Sequence, residues 1–217
     1  MKPNDEFAET LATIQEDARL ASVEAQDIGA RVHVITLKAI AQKDVSLDEI
    51  KGVLSAVTDG IHLGLAQRGG EMAQALRDAV GGMDSALVKF AQTLQLSVEE
   101  SIANGKEFRA GELKQSLETV RDLEQTLVEA IRKTGSQASG LIKAEMRNLS
   151  AHLSHTGTDV GGQALTTLTK LSGETRSVAH TGKMGVEQGS RAIAGRVVQF
   201  AGGVLTGVGE ALRNTSK

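Results

Sequence analysis

The chain has no cysteine, no tryptophan and no tyrosine, and its one proline is Pro3. Without cysteine there is no disulfide framework, no thiolate metal site and no cysteine nucleophile. Four phenylalanines are the only aromatics, which leaves little with which to knit a compact globular core. A single proline near the start means that nothing further along is obliged to break a helix. No run of 18 apolar residues occurs, and this argues against a spanning helix. The opening MKPNDEFAETLATIQEDARL is acidic and has no apolar signal core, so a cytoplasmic location is expected.

What the chain does have is alanine, leucine, valine, isoleucine and 24 glycines. Each glycine in a helix interior costs roughly 1 kcal/mol against alanine. Net charge is graded along the chain. Residues 1–50 hold five Lys and Arg against ten Asp and Glu, whereas residues 157–217 hold seven against four. An acidic start and a basic end suit head-to-tail pairing with another copy, or contact between the basic end and anionic groups.

The apolar residues recur every eleven positions. Ile50, Ile61, Met72, Met83 and Leu94 form one column, and Leu54, Leu65, Leu76, Leu87 and Val98 form a second. A third holds mostly small residues: Val53, Gly64, Ala75, Ala86 and Ser97. Eleven residues make three turns at 3.67 per turn, so each column is a line along one helical face. The same spacing returns in Val120, Ile131, Ile142 and Leu153, and in Ala138, Leu149, Val160 and Leu171. Phe7, Leu11, Ile14, Ala18, Ala21, Ala25, Ile28, Val32, Ile35 and Ala39 fit a seven-residue reading instead.

Breaks divide these stripes. Ser46 and Glu49 form a capping box, NGKEFRAG at 104–111 is the clearest loop, and Gly157 with Thr158 or Asp159 marks a weaker stop and start. KTGSQASG at 133–140 is expected to loosen the helix that carries it. The expectation is an all-α, elongated bundle of about four long amphipathic helices, near 5–41, 47–104, 112–155 and 159–213, with hendecad packing; the alternative is that the last two are one helix, since the eleven-residue phase nearly carries across the break. Two helical hairpins, 1–104 and 105–217, would be its domains.

The C-terminal stripe Val186, Ile193, Val197, Phe200, Val204 and Val208, flanked by Arg191 and Arg196, is the candidate lipid or partner surface. Its helix, 159–213, contains eleven glycines and is expected to form only when that stripe is covered. Glycines at helical spacing, Gly60/Gly64, Gly157/Gly161, Gly185/Gly189 and Gly203/Gly207, suit close backbone approach. Such eleven-residue amphipathic repeats resemble those of exchangeable apolipoproteins, perilipins and synucleins, and GGVLTGVGEA at 202–211 is similar to the Gly-Val-Thr-rich segment of synuclein. The overall plan resembles bacterial phasins, which coat polyester granules. TDGIHLGLAQRGGEMAQALRDAVGGMDSAL at 58–87 resembles an uncharacterised bacterial helical family. These resemblances imply helical surface or scaffold proteins and assign no site residues.

Chemistry has little foothold. His152 and His155 lie three apart with Asp159 near, but no HExxH pattern accompanies them, and they read as polar residues beside a loop. GTDVGGQ at 157–163 has Gln163 where a P-loop needs lysine. A net acidic chain with a dilute basic end is poorly suited to nucleic acid. No catalytic residue, cofactor, metal or small-molecule substrate is expected. The expected partners are further copies of the chain and a peripheral membrane or granule surface. The alternative is a soluble, self-assembling scaffold with no lipid contact.

Overall fold

A computed structural model describes residues 3–41, 46–68, 71–103 and 110–180, and every regular element among them is a helix. These are α1 (Pro3–Glu24), α2 (Ile28–Ile40), α3 (Leu47–Arg68), α4 (Met72–Ala103), α5 (Ala110–Gln137), α6 (Gly140–Thr156) and α7 (Asp159–His180).

Three of the long helices expected from the spacing are thus each two shorter ones. Between α1 and α2, Asp27 Oδ1 accepts a hydrogen bond from the Ala30 N–H at 2.9 Å, an N-cap that starts a new helix without any proline. Between α3 and α4 lies the pair Gly69-Gly70. Thr58 Oγ1 stands 4.0 Å from Met83 Sδ. Along one straight helix those residues would be about 37 Å apart, so α4 folds back beside α3. Column residues on both helices, Ile61 and Leu65 on α3 and Leu76, Met83 and Leu87 on α4, are buried in the core. Between α5 and α6, Ser139 is extended and Gly140 takes φ +58°. Phase alone therefore predicted continuity where the chain turns.

At α3 the start is held as a capping box. The Ser46 N–H donates to Glu49 Oε2 at 2.7 Å and the Glu49 N–H to Ser46 Oγ at 3.2 Å. Those bonds satisfy donors that a helix N-terminus would otherwise leave open.

One apolar cluster runs through the bundle, from Ile14 and Ala18 of α1 to Val160 and Ala164 of α7. The two most extensive pairings skip a helix in sequence, α1 on α3 and α2 on α4; α7 packs on α4 and α5, and the consecutive helices α5 and α6 pack on each other. The α1/α3 pair runs parallel, since Gly52 lies against Phe7 and Leu11, Gly60 against Gln15 and Ala18, and Gly64 against Arg19 and Ser22. A Cβ on Gly60 would overlap the Gln15 carbonyl, and one on Gly64 the Arg19 carbonyl. Glycine is present there because no side chain fits between the two backbones. The α2/α4 pair repeats the device, with Gly82 against the Gly29 carbonyl and Gly29 3.0 Å from the Asp78 carbonyl, measured from its ideal Cβ.

Candidate functional site

Helix α7 is seated differently. Its start has four backbone N–H groups to satisfy, and each finds an acceptor. The Thr158 N–H donates to Glu124 Oε1 of α5 at 2.9 Å, and Thr158 Oγ1 donates to the same oxygen at 3.0 Å. Asp159 N–H donates to Asp84 Oδ2 and Val160 N–H to Asp84 Oδ1, both at 2.9 Å. Thr158 Oγ1 in turn accepts from the Gly161 N–H at 3.0 Å. Asp84 comes from α4, so carboxylates of two other helices occupy the anion position at the α7 N-terminus.

Further along, α7 meets α4 through amides and hydroxyls. Thr167 Oγ1 donates to Gln95 Oε1 at 3.0 Å, Gln163 Nε2 to the same oxygen at 3.4 Å, and Gln92 Nε2 to Gln163 Oε1 at 3.3 Å. Thr167 is fully buried and Gln95 nearly so, and buried polar groups of this kind need such partners. Val160 and Ala164 supply the apolar part of the contact. The order Asp84, Gln92, Gln95 against Val160, Gln163, Thr167 makes α4 and α7 parallel.

Asp84 is buried, and burial pushes its carboxyl above the ordinary aspartate value. The Val160 and Asp159 N–H groups pull the other way, while the Asp159 and Glu124 charges push further up. On the far side of α4, His33 of α2 is held below the ordinary histidine value by burial and by Lys89, partly offset by a hydrogen bond with the Gly82 backbone.

The predicted surface residues Val186, Arg191, Ile193, Arg196, Val197, Phe200, Val204 and Val208 lie outside the described residues. Of the packing columns, Ile50, Leu54, Ile61, Leu65, Leu76, Met83 and Leu87 are buried in the core. Met72 and Leu94 are partly buried against it. Val98 is on α4, but its side chain is outside the described set. His152 and His155 are exposed on α6. Among the described residues no group of three His, Cys, Asp or Glu side chains is placed to hold a metal ion.

The spacing missed Asp84, Gln95 and Glu124. A signal existed for the first two: they stand eleven apart, each one residue past the apolar column at Met83 and Leu94, as a polar line beside a greasy one. Glu124 had none. The phosphate-like motif at 157–163 is the same helix start, and Glu124 fills the space beside Gly161 where a side chain would point.

Helices that bury their apolar stripes on one another, with a polar socket for the last described one, define an all-α bundle protein. The chain belongs to a family of unknown function (DUF6781), whose model matches residues 5–214. The likeness of residues 58–87 to an uncharacterised helical family is consistent with this membership. No curated protein and no solved structure matches the chain.

Proposed function

We propose that this is a non-enzymatic association protein in which the bundle carries a C-terminal amphipathic segment onto a lipid-like or storage-granule surface. The observation that carries the reading is the stripe Val186, Ile193, Val197, Phe200, Val204 and Val208, with Arg191 and Arg196 beside it. A moderately apolar helix with cationic flanks lies in an anionic interface without crossing it. No described helix is long and apolar enough to cross a membrane. The bundle adds support because its own columns are consumed internally. Among the described residues, the exposed large apolar side chains Leu20, Leu63, Leu96, Leu141 and Leu165 stand on five different helices. Hendecad spacing then serves two ends, the core of the bundle and the face that meets the surface.

A second reading, a soluble self-assembling scaffold, is favoured by the glycine faces of α3 and α4. Those faces are used for helix-to-helix contact, so the C-terminal glycines could serve another copy in the same way.

Flotation with vesicles separates the two. Full-length protein is expected to rise with vesicles containing anionic lipid and to remain below with neutral ones, and Val197→Asp is expected to abolish the rise. Protein that stays at the bottom in both, with Val197→Asp altering only oligomer mass, would remove the coat reading and leave the scaffold.

A further inference from the structure

We infer that α7 is an exchangeable arm: two copies of the chain trade it, α6 and α7 straightening into one helix so that each α7 completes the α4/α5 socket of the other copy.

Three independent features carry this. First, α6 and α7 are consecutive yet hardly touch; the contacts of α7 are made with α4 and α5. Swinging α7 away from α6 therefore forfeits little. Second, the anchors of α7 are Asp84, Gln92 and Gln95 of α4 and Glu124 of α5, and a second copy offers the same set in the same geometry. Such reciprocal exchange closes on a two-fold axis and leaves no unpaired surface.

Third, the stripe of the arm ignores the hinge. Ile142, Met146, Leu149 and Leu153 on α6 face the core, as do Val160, Ala164 and Thr167 on α7. Their spacing is four, three, four, then seven across the hinge, then four and three. A straight helix over 140–180 would carry all of them on one face and reach about 60 Å at 1.5 Å per residue. The hinge itself is short. Gly157 holds φ +82°, a conformation that side chains rarely adopt, and its N–H already donates to the Leu153 carbonyl at 2.9 Å as a helix would require. Short hinges of this kind are where helices exchange between copies.

This inference goes beyond the surface-coat reading and does not depend on lipid. The absence of cysteine makes the test clean. Full-length Gln92→Cys and a size-tagged Gln163→Cys are mixed, unfolded and refolded together at high concentration, then treated with a short bismaleimide. The expected result is a covalent product of one tagged and one untagged chain. Intrachain linking in the Gln92→Cys/Gln163→Cys double variant, with no cross-copy product in the mixture, would overturn the proposal. Gly157→Ala gives a second arm to the experiment. Alanine disfavours the positive φ of the hinge and favours the straight helix, so the dimer fraction measured by light scattering should rise about tenfold. A Gly157→Ala protein that stays monomeric at all concentrations, or unfolds without dimerising, counts equally against exchange.

Discussion

The α1/α3 and α4/α7 pairs both run parallel, but they are joined by opposite means. In α1/α3 the side chain is removed: Gly60 and Gly64 bring backbone against backbone, and attraction comes from many short contacts that vanish with a small gap. In α4/α7 side chains are added: Asp84 and Gln95 reach across to named donors, each bond contributing roughly 0.5–1.5 kcal/mol net. The first interface has no room for a methyl at Gly60 or Gly64. The second sets direction and register while remaining separable, because water or another copy can satisfy the same groups. A permanent scaffold and a detachable arm thus coexist on one chain, and α4 serves both.

The contrast breaks first at Gly60. Gly60→Ala places a methyl on the Gln15 carbonyl and against Ala18. Overpacking should outweigh the gain in helix propensity, for a net loss of about 2–3 kcal/mol in urea unfolding. A midpoint unchanged from wild type would show that α1 and α3 are not in backbone contact. Asp84→Ala comes next. It leaves the Asp159 and Val160 N–H groups without their acceptor, a cost of about 1–3 kcal/mol. The loss should be local, so hydrogen exchange should quicken at amides 159–167 and not in α1 or α3. Uniform quickening along the chain would mean that α7 is as integral as α3.

A smaller effect sharpens the comparison at two adjacent glycines. A Cβ on Gly81 would meet nothing within 4 Å, whereas one on Gly82 would strike the Gly29 carbonyl. Gly81→Ala should therefore stabilise by about 0.5–1 kcal/mol through helix propensity alone, while Gly82→Ala should destabilise. Equal effects from the two would deny that α2 and α4 share a close interface.

How much of this could be read in advance follows from what repeats. Ile50, Leu54, Ile61 and Leu65 were legible as a buried line because periodicity reports which face of a helix is apolar. The same property hid the turns. Met72 keeps phase with Ile61 across Gly69-Gly70, and Val160 with Leu149 across Gly157, so periodicity cannot say whether a helix continues or doubles back. Caps carried that information. Ser46 with Glu49 was readable because both partners lie within one turn. The cap of α7 was only half readable: Thr158 is local, while Asp84 and Glu124 arrive from 75 and 34 residues away. Asp84 and Gln95 repeat at eleven residues on α4, but no period names their partners on α7, and Glu124 repeats with nothing; the core is legible from one helix at a time and the socket is not.

The smallest effect has opposite signs at the two faces of α4. Burial and the neighbouring Asp159 and Glu124 charges raise the Asp84 carboxyl above 3.8 in the folded protein. The folded state then binds more protons than the unfolded one, so the contribution of this group is full below 3.8 and declines as pH rises through its folded value. Burial and Lys89 hold His33 below 6.5. Here the unfolded state binds more protons, so the contribution is full above 6.5 and is lost as pH falls through the folded value. Asp84→Asn should flatten the slope of urea midpoint against pH in the weakly acidic range, and His33→Gln the slope just below neutrality. With both slopes removed by the same single variant, the two faces of α4 would be one coupled site, and a permanent pair beside a separable arm could no longer be distinguished.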